Sequence, residues 1–237
     1  MLFTLNHVGL DRTGPDGAPR PILADLTGAI PESGITCLVG PSGAGKSTLL
    51  RLLNRLEEPT RGSLQYRGQD LRSLPPTELR RRVALVLQSP VMLPGTVQEN
   101  LEAGLALRAQ AAMRPGFSLK LAALKSPQTI GLLDDPGAHL ERVGLPSSYL
   151  AKDAAALSGG ERQRLALART LATEPEVLLL DEVTASLDPE STRLIEAVVR
   201  GWGRPIIMIS HSPEQVERMA DRVLRLEAGR LREVALV

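Results

Sequence analysis

The sequence predicts an α/β domain on a mostly parallel sheet, with an antiparallel β part at its N-terminal end and a helical subdomain inserted part-way along. Three observations carry that prediction. Short apolar runs alternate with helix-like segments along most of the chain, the order that strand–helix–strand units produce. The runs are apolar on both faces rather than at alternate positions, which suits strands covered by helices on each side. The stretch from Met92 to Thr173 holds no such run and is rich in Ala, Leu and Arg.

Taken in order, Leu2 to Val8 and Ile22 to Ile30 flank a Gly/Pro-rich stretch, Asp11 to Pro21, that reads as a hairpin or a long loop. Ile35 to Val39 is β-branched and apolar and stops at Gly40-Pro41, a buried strand followed by a turn. Thr48 to Leu56 reads as a helix. Val83 to Leu87, Val177 to Leu180 and Pro205 to Ile209 repeat the buried-strand pattern. Between them, Pro115-Gly116, Ser126-Pro127 and Asp135-Pro136-Gly137 cut the middle into helix-length pieces. The expected organisation is one domain over 1–237: a core of residues 1–91 and 174–237, with a helical subdomain at about 92–173.

Composition narrows the class. The chain of 237 residues is 43% hydrophobic and 23% charged, an ordinary globular balance that argues against wholesale disorder. No stretch approaches the ~18 apolar residues of a spanning helix, and the N-terminus lacks the pattern of a secretory signal. One cysteine, Cys37, excludes an internal disulfide and speaks against structural zinc; it reads as a small core hydrophobe. His7 and His139 have no motif around them. Lys plus Arg number 28 against 27 Asp plus Glu, without the positive surplus of a nucleic-acid backbone binder. No nucleic-acid partner is expected. Only Lys46, Lys120, Lys125 and Lys152 are lysines, leaving 24 arginines (28 − 4), so a lysine at a motif position is informative.

Lys46 stands at such a position. Gly40-Pro41-Ser42-Gly43-Ala44-Gly45-Lys46-Ser47 fits G-x-x-x-x-G-K-[ST] between a predicted strand and a predicted helix that starts near Thr48. Glycines let backbone N–H groups turn inward around phosphate oxygens, and the helix N-terminus adds its positive end. Lys46 is placed to reach the outer phosphates of a nucleotide and Ser47 to ligate Mg²⁺. A second cluster follows the apolar run Val177 to Leu180, which ends in Asp181-Glu182. Ligands of open parallel sheets sit at the carboxyl ends of strands. Asp181 is thus placed for the metal and Glu182 for a general base acting on water. Without the first motif, this pair reads equally well as a solvated turn.

Ser158-Gly159-Gly160-Glu161 opens an amphipathic segment that runs to Ala172. Locally, Ser158-x-x-Glu161 is a capping box. The two glycines do not help a helix, each costing about 1 kcal/mol against alanine, but they allow a phosphate to come close to a helix start.

Leu157-Ser158-Gly159-Gly160-Glu161 ahead of Leu178-Leu179-Leu180-Asp181-Glu182, with the phosphate loop upstream, resembles the nucleotide-binding subunit of ABC transporters. Gln88 resembles the family's Q-loop glutamine, Ala185 to Asp188 its D-loop, and His211 its switch histidine. The resemblance covers nearly the whole chain and implies the ABC type of P-loop NTPase fold and an ATPase using ATP and Mg²⁺. It also implies a head-to-tail homodimer in which the loop of one subunit faces Ser158 to Glu161 of the other. By that resemblance Gln88 contacts the Mg²⁺ and the attacking water, Asp188 crosses the dimer interface, and His211 hydrogen-bonds the γ-phosphate and positions Glu182 and the water.

Two positions depart from the family pattern. Where an aromatic residue usually covers the adenine, this chain has Arg12, and Arg12 or Arg20 is expected to stack on the base instead. Val183 stands where proline commonly follows the glutamate; the carboxylates are unaffected. Only 26 residues follow His211 (237 − 211), so no C-terminal regulatory domain is expected. The membrane-spanning permease is expected to be a separate subunit, placing this chain on the cytoplasmic face of the membrane. Val91, Met92 and Leu93, after Gln88, read either as helix-cap packing or as a socket for that partner. Within the family, the Pro-Gly-Thr-Val and Ser-His-Ser-Pro stretches are similar to bacterial iron-exporter and plant aluminium-tolerance ATPase subunits. This points to metal-ion export; the alternatives are a phosphate-type importer or a soluble ATPase of DNA repair or translation.

Overall fold

The computed structural model describes residues 1–14, 16–112, 135–228 and 230–234. The breaks expected at Pro115-Gly116 and Ser126-Pro127 lie outside the described residues. Two compact units result, one of residues 1–87, 176–182 and 202–237, the other of residues 88–175 and 183–201.

The first unit contains two sheets. Strands β1 (Phe3–Thr13), β2 (Pro19–Ile30), β4 (Arg61–Tyr66) and β5 (Gln69–Asp70) form an antiparallel sheet in the order β2-β1-β4-β5. The Gly/Pro-rich stretch 11–21 is therefore mostly strand, with a short turn. Pro19 and Pro21 are tolerated because β2 is an edge strand, where a missing N–H interrupts no ladder. The second sheet runs β10-β9-β3-β8-β7-β6, with β3 (Ile35–Val39), β6 (Val83–Val86), β7 (Val177–Asp181), β8 (Ile206–Ile209) and β9 (Arg222–Glu227) mutually parallel. β10 (Arg230–Val234) pairs antiparallel with β9 at one edge.

All five residues of β7 and all four of β8 are buried, which is why those runs carry no polar alternation. The core joins both sheets through Leu5, Leu26, Leu49, Leu64, Leu179 and Ile207, among others. Phe3 packs on Tyr66 with ring centroids 5.3 Å apart. The helix after β3 spans Lys46–Leu53, starting two residues earlier and ending three earlier than the sequence suggested. Gly45 caps its start and Asn54 its end, and Arg55 then turns left-handed at φ 56°.

The second unit is helical, with helices Val97–Ala112, Pro136–Arg142, Gly159–Ala172 and Pro189–Arg200. Its extended pairing, among the described residues, is a single bridge between Thr96 and Asp153. Residues 183–201, beyond Glu182, group with this unit as well.

Candidate active site

Gly40 follows β3, Asp181 ends β7 and Ser210-His211 follow β8. These strands are neighbours in the order β3-β8-β7, so their carboxyl ends bring the three groups to one edge of the sheet. Gly40 has φ 148°, and a Cβ there would lie 2.2 Å from the Leu226 carbonyl oxygen of β9. Only glycine lets the chain leave β3 against that backbone. Gly45, at φ 91°, starts the following helix with no side chain over its first N–H groups, leaving donors aimed into the loop.

Lys46 is 5% exposed, and its ammonium donates to the carbonyl oxygens of Gly40 and Pro41, each at 2.9 Å. Burial lowers its pKa, with Glu182 and Asp181 pulling the other way. The Ser47 hydroxyl donates to Asp181 Oδ1 at 2.9 Å. Burial pushes the Asp181 carboxyl above its usual range, and the Ser47 hydrogen bond opposes that. A hydroxyl and a desolvated carboxylate in contact make a hard-oxygen pair of the kind Mg²⁺ takes beside substrate phosphates; the donor set fits the ion. Glu182 adopts φ 50°, so its side chain leaves the strand end, and its Oε1 lies 3.0 Å from His211 Nε2. Pro41, Ser42 and Gly43 are exposed at the rim, while Thr48 is buried.

Arg12 is not loose. It lies on β1 directly opposite Arg20 on β2 and grips Glu57 through Nη2, at 2.6 and 2.7 Å from the two carboxylate oxygens. Arg20 instead pairs with Asp16 at 3.1 Å. Glu57 was not foreseen, because 45 residues separate it from Arg12 and no local pattern marks it.

In the second unit Ser158 caps the helix Gly159–Ala172. Its Oγ accepts from Glu161 N–H at 3.3 Å, and Glu161 Oε2 accepts from Ser158 N–H at 2.7 Å, so the capping box is real. That backbone hydrogen bond holds the Glu161 carboxyl below its usual range. A Cβ on Gly159 would touch nothing within 4 Å, whereas one on Gly160 would lie 3.1 Å from Leu187 Cδ2. Asp188 caps the helix Pro189–Arg200, its Oδ1 accepting from Glu190 and Ser191 N–H at 3.0 and 2.9 Å. Gln88 is exposed two residues beyond β6.

The ABC transporter family model matches residues 23–185. The chain belongs to that family. An ABC transporter I family member of Arabidopsis thaliana is 40% identical over 95% of this chain and 79% of its own length. A methionine import ATP-binding protein of Caulobacter vibrioides is 40% identical over 92% of this chain, which spans 63% of that protein. Among solved structures, an ATP-bound bacterial ABC exporter of the Atm1 family is 32% identical, with a TM-score of 0.73 over 98% of this chain and 38% of its own. The chain is thus an ATP-binding subunit of an ABC transporter and an ATPase, with the α/β cassette fold expected of one. Among its described residues, no helix of this ABC subunit is long and apolar enough to cross a membrane.

Proposed function

We propose that this ABC subunit hydrolyses Mg-ATP in a head-to-tail homodimer and so drives a separate membrane-spanning subunit from the cytoplasmic face. The observation that supports it most is the convergence of Lys46, Ser47, Asp181, Glu182 and His211 at adjoining strand ends. Residues 40–48 cradle the triphosphate through backbone N–H groups, with Lys46 neutralising its outer oxygens. Ser47 and Asp181 would hold the Mg²⁺, and the ion would supply charge neutralisation at the phosphates. Glu182 takes a proton from water as the water oxygen bonds to the γ-phosphorus and the bond to the bridging oxygen breaks, giving ADP and phosphate. His211, at 3.0 Å, holds the Glu182 carboxylate in place. Ser158 to Glu161 and Asp188 meet the nucleotide of the opposite subunit, and Arg12, held flat by Glu57, covers the base.

Similarity to both an import protein and an exporter leaves the direction of transport to the membrane-spanning subunit, and metal-ion export remains one case of this motor. Docking of that subunit falls to Val91 and Leu93, which are exposed. The deciding test is Glu182→Gln. Nucleotide binding should persist while turnover drops at least a hundredfold, and ATP should drive the chain to a dimer in size-exclusion light scattering. Parental turnover would remove Glu182 from the chemistry; a monomer at saturating ATP would remove the dimer.

A further inference from the structure

Val91 is 65% and Leu93 43% exposed, with Met92 half-buried between them. Showing every second side chain to water is the habit of extended chain. From Gln88 to Gln98 no residue is charged, in a chain that is 23% charged. An uncharged ledge with two exposed aliphatic side chains suits an apolar helix face far better than a charged partner.

Two polar side chains, Asn100 buried and Arg169 half-buried, hold that ledge, and the nucleotide chemistry requires neither. Asn100, fully buried in the helix Val97–Ala112, turns its whole carboxamide to the segment. Its Oδ1 accepts from Leu93 N–H at 2.9 Å, and its Nδ2 donates to the carbonyl oxygens of Leu93 and Thr96, each at 3.0 Å. The amide thereby stands in for a neighbouring strand, which a loop at this position lacks. Arg169, in the helix Gly159–Ala172, donates from Nη1 to Asn100 Oδ1 at 2.9 Å and from Nη2 to the Val91 carbonyl oxygen at 2.7 Å. One guanidinium thus ties both exposed apolar residues, Val91 directly and Leu93 through Asn100. Removing Asn100 would leave half-buried backbone groups of Leu93 and Thr96 unpaired, and removing Arg169 would free the Val91 carbonyl and take one partner from Asn100 Oδ1.

We propose that Asn100 and Arg169 are positioning residues that preset the backbone of residues 91–96 as a docking ledge for an apolar helix of the membrane-spanning subunit. The proposal rests on the docking reading above, and its test separates the two. The chain is titrated into proteoliposomes of the membrane-spanning subunit that co-purifies with it, and stimulated ATP turnover is recorded beside basal turnover. Amide exchange at Leu93 is followed in the isolated chain.

Asn100→Leu and Arg169→Met, which keep buried volume, should speed Leu93 exchange about tenfold or more. They should raise the concentration for half-maximal stimulation about tenfold, with basal turnover within twofold. Arg169→Lys, which keeps one donor, should fall between. A merely structural lesion would lower basal and stimulated turnover in the same proportion, and that outcome overturns the proposal. If Val91→Glu and Leu93→Glu weaken stimulation while Asn100→Leu and Arg169→Met leave it unchanged, the pair has no positioning role and the docking reading stands. If the two Glu variants change nothing, the docking reading fails and takes this proposal with it.

Discussion

Gly159→Ala separates a glycine kept for the fold from one kept for a ligand. Gly159 opens the helix Gly159–Ala172 with an ordinary helical φ, and a methyl there meets no atom within 4 Å. Alanine is favoured over glycine by about 1 kcal/mol in a helix interior and by roughly half of that in the first turn. The substitution should therefore stabilise the chain by about 0.5 kcal/mol, raising Tm by roughly 1–2 °C for a protein of this size. Function should move the opposite way. Backbone N–H groups that bind phosphate work at about 2.9 Å, and a methyl beside them holds the phosphate off by about 1 Å. ATP turnover should then fall at least tenfold, a loss of about 1.4 kcal/mol. Calorimetry and a steady-state ATPase assay read the two effects on one sample. Parental turnover would refute an anion site at this helix start, and a clear loss of stability would refute the open space seen around Gly159. Ser158→Ala is the calibrating variant: loss of the cap should cost about 1 kcal/mol whatever the ligand does.

Two further substitutions test other parts of the site. Gly40→Ala places a Cβ 2.2 Å from the Leu226 carbonyl oxygen, where real contacts essentially never fall below 3.0 Å. It should destabilise by about 3 kcal/mol in chemical denaturation, and a cost below about 1 kcal/mol would mean the loop has another path out of β3. Arg12→Ala should weaken ATP binding about tenfold by calorimetric titration while Arg20→Ala, whose partner is Asp16, leaves it unchanged; equal affinities in both would remove Arg12 from the base site.

What was legible in the sequence follows from how each strand is buried. β3, β7 and β8 lie between neighbours and under cover, so they read as unbroken apolar runs. β4 and β9 were missed because each keeps one face in water: β9 alternates exposed arginines with buried Val223, Leu224 and Leu226. The turn at Arg67-Gly68, both at positive φ, was the available signal for the β4–β5 hairpin. Local motifs fix their own geometry: the capping box was readable in full, and the Gly-rich loop before the first helix to within two residues of the helix start. Contacts over long separations were not. Arg12 finds Glu57 45 residues away, and Arg169 finds Asn100 69 residues away.

The distribution of unfavourable features bears on the assignment independently of any motif. Five of the six described non-glycine residues at positive φ sit where the chain must turn: His7 at the β1 irregularity, Arg55 and Glu174 after helices, Arg67 and Ala228 between hairpin strands. Glu182 alone ends a fully buried central strand at φ 50°, a conformation costing about 1–2 kcal/mol for a residue with a Cβ. Beside it lie a buried lysine and a buried carboxylate, each with its pKa pushed toward the neutral form by desolvation. Folding alone gains nothing from placing strain and two desolvated charges at one sheet edge. A triphosphate and a divalent cation would reverse the sign of all three, because the lysine and the carboxylate would acquire counter-charges and the strained turn would aim Glu182 at the water. Ser158 and Glu161, by contrast, satisfy each other and leave only Gly159 without a structural reason. Half of a binding surface that is comfortable by itself, with one bare glycine at its tip, is what a helix start offered to another subunit's nucleotide requires.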